Sequence, residues 1–465
     1  MCVTSTTAHD ADDLTDRDVA RLRAEFSGRI STPSDADWDS ARRAWALNVD
    51  QRPAIVLRPA DAFDVATAVR FATRHGLRLA PQGTGHNAAP LGDLQGTVLL
   101  RADLMRAVSI DATQRIARVE AGTVWGEVVA PAAAHGLAAL AGSSADVGVV
   151  GYTLGGGLSW FGRSHGLAAN HVTAVELVTA DGLLRRVDAE RDRDLFWALR
   201  GGGGSFGVVT AVEFRLFPIE TVYAGALFWP VDRAAEVLHA WRDWTAGIGD
   251  AVTSIGRVLR FPAAPEVPPP FAGRAFVVVE AVFQEAPAAA GALLAELRRL
   301  DPEIDTFEVQ PVDRLTKLHL DPPGPVASAS DGTLLRELSA EALDAFLTIA
   351  AGECGAVLLS AKLRHLGGAL ALGANGGGAV AGLDGEFLVF AVGAVPTPAA
   401  CAAVNAAVTH LLGELAPWHS ERSYLNVAER PRDPRGLFGP STDHLRAIRE
   451  AVDPRGVFRA NHPVG

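Results

Sequence analysis

Between Ile55 and Gln82 the spacing of apolar residues changes twice. IVLRP (55–59) opens on a short apolar run and reads as a strand. DAFDVATAVRFATRHG (61–76) sets apolar residues at helical spacing between an Asp cap and Gly76, and LRLAPQ (77–82) is again strand-like. WGEVVAPAAAHGLAALAG (125–142) repeats the grammar and predicts a helix, a His-Gly-Leu turn and a strand. His75 and His135 each fall at a predicted helix end just before a Gly. There a partly protonated imidazole meets the negative end of the dipole, so both are read as structural. Ahead of this region, Ser34, Asp35 and Asp37 supply caps for a helix over WDSARRAWAL (38–47).

Beyond Pro218 the texture changes. Strand-like RAFVVVEAVFQ (274–284), GAVLLSAKLRHL (355–366) and EFLVFAVGAV (386–395) alternate with Ala/Leu-rich helical stretches at 288–300 and 339–352. The Pro-rich segment FPAAPEVPPPFAG (261–273) reads as a loop. The pattern predicts a sheet with helices on one face. The expected organisation is a leader and helix (1–45), a first domain (46–219), a second domain (220–419) and a polar tail (420–465) that returns to the first.

Composition narrows the function classes. The 465 residues carry 42 Lys plus Arg against 54 Asp plus Glu, a formal charge of −12, and no basic run offsets it. Nucleic acid and anionic membrane are therefore poor partners. Cys2, Cys354 and Cys401 are far apart with no CxxC spacing, which argues against a disulfide framework or a zinc site, and no metal is expected. The polar, acidic start has no secretory-signal pattern. The longest apolar stretch, from Phe387 toward Leu412, is cut by Pro396 and Pro398 and is not a membrane span. A cytoplasmic protein is the expectation; oligomeric state stays open between monomer and homodimer.

Glycine patterns carry the chemistry. Gly83-Thr84-Gly85-His86-Asn87-Ala88 matches a dinucleotide fingerprint after a strand, but Pro90-Leu91-Gly92-Asp93 follows as a turn and not a helix. Gly202–Gly207 matches it as well, yet precedes a strand. Both lack the required frame, so a Rossmann fold is rejected. Four clusters nonetheless fall within 130 residues: QGTGH (82–86), AGSSADVGVVG (141–151), LGGGL (154–158) and RGGGGSFG (200–207). Glycine lets backbone approach a ligand closely, and successive N–H groups can form a nest that holds a diphosphate without lysines.

The order QGTGH, SSADVGVVGYTLGGGL, HGLAANHVTAVELVTADG, DLFWALRGGGGSFGVVTAVEF resembles the FAD-binding domain of the vanillyl-alcohol-oxidase (PCMH-type) superfamily, and within it the berberine-bridge-enzyme-like oxidoreductases. Tyr424-Leu425-Asn426 resembles that family's Y-x-N motif and VDPRGVFRANHPV its terminal segment. The resemblance covers about 40–219 and 420–465. It implies an α+β protein: a PCMH-type FAD-binding domain of two α/β subdomains, and a substrate domain with an antiparallel sheet flanked by helices.

The resemblance also implies roles. His86 would form an 8α bond to the flavin, and from the residues alone it has no helix end or apolar face to serve. Many members add a second link from a Cys at the position of Ser144; a hydroxyl lacks an accessible thiolate, so one covalent bond is expected. Gln82 stands where many members have Arg. Val147 and Gly148 would line the flavin, and a Val there leaves room for dioxygen. Gly83, Thr84, Gly85, Asn87, Gly151, Gly155, Gly156, Gly207, Val209, Asn426 and Asn461 complete the expected cofactor contacts. Tyr424 is the candidate base, although an unperturbed tyrosine titrates near pH ~10 and needs a nearby cation or donor. Lys362, Arg364 and His365 are candidate sources, and alternation puts Lys362 and Arg364 on one sheet face and His365 on the other. Tyr152 is a second pocket candidate, whereas Trp125, Trp160 and Trp197 read as core.

The expected activity is an FAD-dependent oxidase that takes hydride from a hydroxyl or activated C–H of a sugar or secondary metabolite, is reoxidised by O2 and gives H2O2. Alternatives are a dehydrogenase with another acceptor, a redox-neutral cyclase or isomerase, and a non-catalytic flavin- or ligand-binding protein.

Overall fold

The computed structural model describes residues 14–465. Cys2 and the first part of the leader lie outside the described residues. Helices and strands are mixed, and the strands form three sheets.

The first sheet has the order Arg29–Ser31, Ile55–Arg58, Thr97–Arg101, Arg78–Gln82, and its last three strands are parallel. Helix Ala62–Arg74 is the crossover. Its Asp61 cap accepts from the N–H groups of Phe63 and Asp64, and Val65, Ala68, Val69, Phe71 and Ala72 are buried. The second sheet is antiparallel, in the order Val108–Asp111, Ile116–Glu120, Val208–Arg215, Val172–Val178, Leu184–Asp188.

The third sheet is antiparallel throughout. Its order is Ile304–Asp305, Thr221–Pro230, Ala275–Phe283, Val252–Arg260, Ser360–His365, Phe387–Ala394, Ser328–Leu335, with Glu308–Pro311 also beside Thr221–Pro230. Helices Ala234–Thr245, Pro287–Arg298, Ala340–Ala350 and Pro398–Glu414 pack on one face against Val277, Val279, Ala281, Ala361, Leu363 and Val389. Lys362 and Arg364, which alternate with Ala361 and Leu363, therefore point to the other face, where Arg364 meets the Ser159 carbonyl just beyond the third glycine loop and Lys362 meets His319. His365 stacks on Phe387 across the sheet, away from them. The tail crosses back over the first sheet: Leu79 pairs with Phe458, and the buried Asp453 carboxylate accepts from the N–H groups of Val457 (2.8 Å) and Phe458 (2.9 Å).

Two local expectations are corrected. WDSARRAWAL is helical only over Trp38–Ala41, and Asp37 makes no capping bond. Beyond it, Trp45 and Ala46 give their N–H groups to the Thr84 and Gly85 carbonyls, which pulls this stretch onto the first glycine loop. LAAL (137–140) forms no strand; Ala138 makes one isolated bridge to Phe217.

Candidate active site

The glycine loops are joined pairwise by short contacts. A β-carbon on Gly148 would lie 3.6 Å from the Thr84 methyl group, so the first two loops touch. Trp125 and Val149 exchange backbone hydrogen bonds with Val147 and Thr123, and Gly203 donates to the Leu154 carbonyl at 3.1 Å. A β-carbon on Gly204 would lie 3.9 Å from Ala460 of the tail. Gly156 and Gly203 hold φ of +114° and +76°, conformations that only glycine adopts freely. Gly207 serves packing: a β-carbon there would lie 2.8 Å from the Val178 carbonyl. Val209 is buried in the core of the second sheet, and Gly151 lies exposed on the short helix Val149–Leu154.

Residues 83–87 and 141–148 are half-buried, so these loops form an open surface rather than a sealed core. Buried polar atoms without partners occur in and beside the glycine loops: Gln82 Nε2, Asn87 Oδ1, Thr123 Oγ1 and Ser205 Oγ. Buried polar groups are nearly always satisfied. A run of donors and acceptors beside glycine turns fits a long polar ligand such as FAD. The other end of Gln82 accepts from Gln51 Nε2 at 3.0 Å, and Asn87 Nδ2 donates to the Ala428 carbonyl at 3.2 Å.

His86 is held on three sides. Trp45 stacks on it with ring centroids 3.9 Å apart and planes 18° from parallel. Its Nδ1 is 2.7 Å from Thr84 Oγ1 and its Nε2 is 3.5 Å from Asp146 Oδ1. The expectation that His86 faces no apolar surface is thus corrected by the indole. Asp146 in turn accepts from Trp45 Nε1 (2.7 Å), Ser144 Oγ (2.9 Å) and the Gly324 N–H (3.2 Å). Burial opposes ionisation of Asp146, but His86, Trp45 and Ser144 together outweigh it and hold the carboxyl below the usual range.

The tail closes the junction. Asn426 Nδ2 donates to the Tyr152 carbonyl and to the Tyr424 hydroxyl oxygen, both at 2.9 Å. The Tyr152 hydroxyl donates to the Leu140 carbonyl at 3.0 Å. Burial raises both phenols well above their ordinary value; donors from Asn426, Gly157 and Leu158 and the Arg364 charge offset only part of this at Tyr424. Asn461 Oδ1 accepts from the His462 N–H at 3.0 Å.

On the facing sheet, Arg364 is buried, donates to the Ser159 carbonyl at 2.5 Å and lies 5.2 Å from the Trp160 ring. Lys362 Nζ donates to His319 Nε2 at 3.0 Å, and His319 Nδ1–H donates to Glu280 Oε2 at 2.6 Å. Arg257 donates to Glu280 Oε1 at 2.5 Å and to the His319 carbonyl at 2.9 Å. Burial brings Lys362 down to about 8, with the charges of Arg257 and Arg364 adding to it against Asp321 and Glu280. Burial likewise lowers His319 well below its ordinary value, so the imidazole is neutral. His365, lowered to about 3 by burial and Arg163, stands apart with Arg163 at 2.9 Å.

Sequence reasoning missed Trp45, Asp146, Arg257, Glu280 and His319. Glu280 left a signal, as the single charge inside AFVVVEAVF, and so did Asp146, the acidic residue in a Gly/Ser loop. His319 sits in a segment without a motif. Among the described residues no cluster of three or more His, Cys, Asp or Glu side chains could hold a metal ion, and no helix is long and apolar enough to cross a membrane.

Residues 53–188 match the FAD binding domain family. The chain is 35% identical over 205 residues to (R)-6-hydroxynicotine oxidase of Paenarthrobacter nicotinovorans, covering 44% of this chain and 45% of that protein. It is 33% identical over 213 residues to glucooligosaccharide oxidase of Sarocladium strictum, covering 44% and 42%. These matches span somewhat under half of each relative. The BBE-like 1 structure of Physcomitrella patens superposes with a TM-score of 0.84 at 19% identity, over 96% of this chain and 99% of that one. Residues 53–188 are thus an FAD binding domain, carried in a chain with the α+β fold of the PCMH-type, berberine-bridge-enzyme-like FAD-linked oxidoreductases that its glycine loops resemble.

Proposed function

We propose that the protein is an FAD-dependent oxidase acting on a hydroxyl or activated C–H of a sugar or secondary metabolite. In this reading residues 46–219 and 420–465 hold the cofactor, and 220–419 present the substrate. The observation that carries it is the opposition of two surfaces: glycine loops with unpartnered polar atoms on one side, and the sheet face bearing Lys362 and Arg364 on the other. The names of the two relatives, one an alkaloid oxidase and one an oligosaccharide oxidase, support the substrate class.

Gln82, Asn87, Thr123 and Ser205 would hold the cofactor through the atoms left open, with His86 as its one tether because Ser144 offers no thiolate. FAD held there would supply the hydride acceptor and the route by which an electron pair reaches dioxygen to give hydrogen peroxide. Val147, half-buried beside Gly148, is the residue that the family resemblance associates with room for dioxygen. Tyr424, read from the sequence as the base, keeps its proton at neutral pH in this buried setting and acts as a donor that orients the substrate oxygen. Proton acceptance passes to Lys362. Its neutral amine is held by His319 Nε2, and Glu280 fixes the His319 tautomer from Nδ1. Arg364 offsets negative charge that develops as the proton leaves.

The test is anaerobic addition of candidate sugars, phenols and hydroxylated alkaloids to FAD-loaded protein. An oxidase bleaches the flavin absorbance with its substrate and regains it with peroxide when air is admitted. Bleaching without reoxidation by air makes the protein a dehydrogenase; turnover without bleaching makes it a redox-neutral cyclase or isomerase.

A further inference from the structure

We propose that Asp146 is the positioning residue that enables His86 to attach FAD, by holding the imidazole proton on Nε2 and compensating the charge that attachment creates. The inference rests on the reading that His86 is the flavin tether.

His86 has two ring nitrogens in different surroundings. Nε2 faces the Asp146 carboxylate at 3.5 Å, and Nδ1 faces the Thr84 hydroxyl at 2.7 Å. A lone pair on Nε2 would point at a negative oxygen, so the neutral ring carries its proton there and presents its lone pair from Nδ1. Thr84 Oγ1 marks the direction of that lone pair, and its methyl group lies against the Val147–Gly148 turn. The stack on Trp45 fixes the ring plane. Three donors hold the carboxylate ionised and aligned: the Trp45 indole, the Ser144 hydroxyl and the Gly324 N–H. Trp45 thus fixes both partners, one by its face and one by its N–H. The carboxylate faces the ring nitrogen opposite the attacking one, the arrangement in which a carboxylate fixes an imidazole's tautomer and stabilises the cation that forms.

The balance of the step agrees. One 8α C–H bond of the flavin breaks and its proton leaves to solvent. A C–N bond forms from Nδ1, and two electrons remain on the flavin, which dioxygen removes as hydrogen peroxide. The alkylated ring still bears its Nε2 proton and is cationic, opposite Asp146.

The experiment follows covalent attachment directly. Apoprotein is mixed with excess FAD in air, samples are quenched in acid, and flavin fluorescence of the denatured band is read with intact mass. Non-covalent occupancy is measured in parallel by flavin released on acid treatment. We expect Asp146→Asn to load FAD but attach it about 10- to 100-fold more slowly, the scale of losing a partner that orients a ligand. Asp146→Glu, which restores the charge, recovers part of the rate; a merely structural role would not give this rescue. Trp45→Phe keeps a stacking ring, loses the indole donor and falls between. Attachment in Asp146→Asn at the wild-type rate, with wild type attached, overturns this proposal alone. Wild type that binds FAD without ever attaching it overturns the tether reading and this proposal with it. If Asp146→Asn does not load FAD, the comparison of Asp146→Glu with Trp45→Phe decides: equal wild-type rates in both overturn the proposal.

Discussion

The Asn426 carboxamide fills the space that a side chain on Gly155 would need; a β-carbon there would overlap its Oδ1. Gly155 has φ −87°, so its backbone suits any residue, and the demand for glycine is one of contact with the tail. Gly155→Ala should therefore displace Asn426 and free the Tyr424 hydroxyl, at a cost of about 1–3 kcal/mol. A thermal melt and an FAD titration check this: both the melting temperature and FAD affinity fall. An unchanged pair of values would detach the tail from the site.

Tyr424→Phe removes the acceptor for Asn426 Nδ2 while keeping the ring. Stability should drop by only about 1 kcal/mol. Turnover should fall by at least about tenfold with the substrate that bleaches the flavin, because an orienting hydrogen bond is lost. Steady-state kinetics and urea unfolding on the same preparation separate the two effects.

Lys362 sets the expected pH dependence. Its ammonium loses the proton near 8, and only the neutral amine accepts one, so kcat/KM should rise with pH and level off above about 8. Lys362→Met should abolish that limb and lower kcat/KM by about 10²–10⁴-fold, the range for general base catalysis. A pH profile over the stable range decides it; a limb retained in Lys362→Met would place the base elsewhere.

Glu280 and Arg257 are 0% and 2% exposed and pair at 2.5 Å. Glu280→Gln leaves a buried guanidinium without its counter-charge, which costs about 3–5 kcal/mol. Urea unfolding should show a midpoint well below wild type. A near-neutral result would mean that Arg257 finds another partner.

The parts of the fold that read clearly from sequence are those with one buried face. Helix Ala62–Arg74 has its cap, its stripe and its terminal glycine, and in strand Ser360–His365 the alternation of side chains puts Ala361 and Leu363 under the helices and Lys362 and Arg364 on the other face. Strands Thr221–Pro230, Val252–Arg260 and Ser328–Leu335 were not foreseen. The first two are buried on both faces for most of their length, so alternation is lost. Ser328–Leu335 opens with small and polar residues that give no period. The glycine loops and Y-x-N were legible because close approach demands particular residues. The groups that tune the site were not: Trp45, Asp146, His319 and Glu280 come from separate stretches and meet only through the fold.

The account stands most directly on the mass of the denatured protein after loading with FAD. It predicts a single species heavier than the apoprotein by one FAD, and the apoprotein mass for His86→Ala that still binds FAD in its native state. Wild-type protein at the apoprotein mass, or an adduct that persists in His86→Ala, would contradict it.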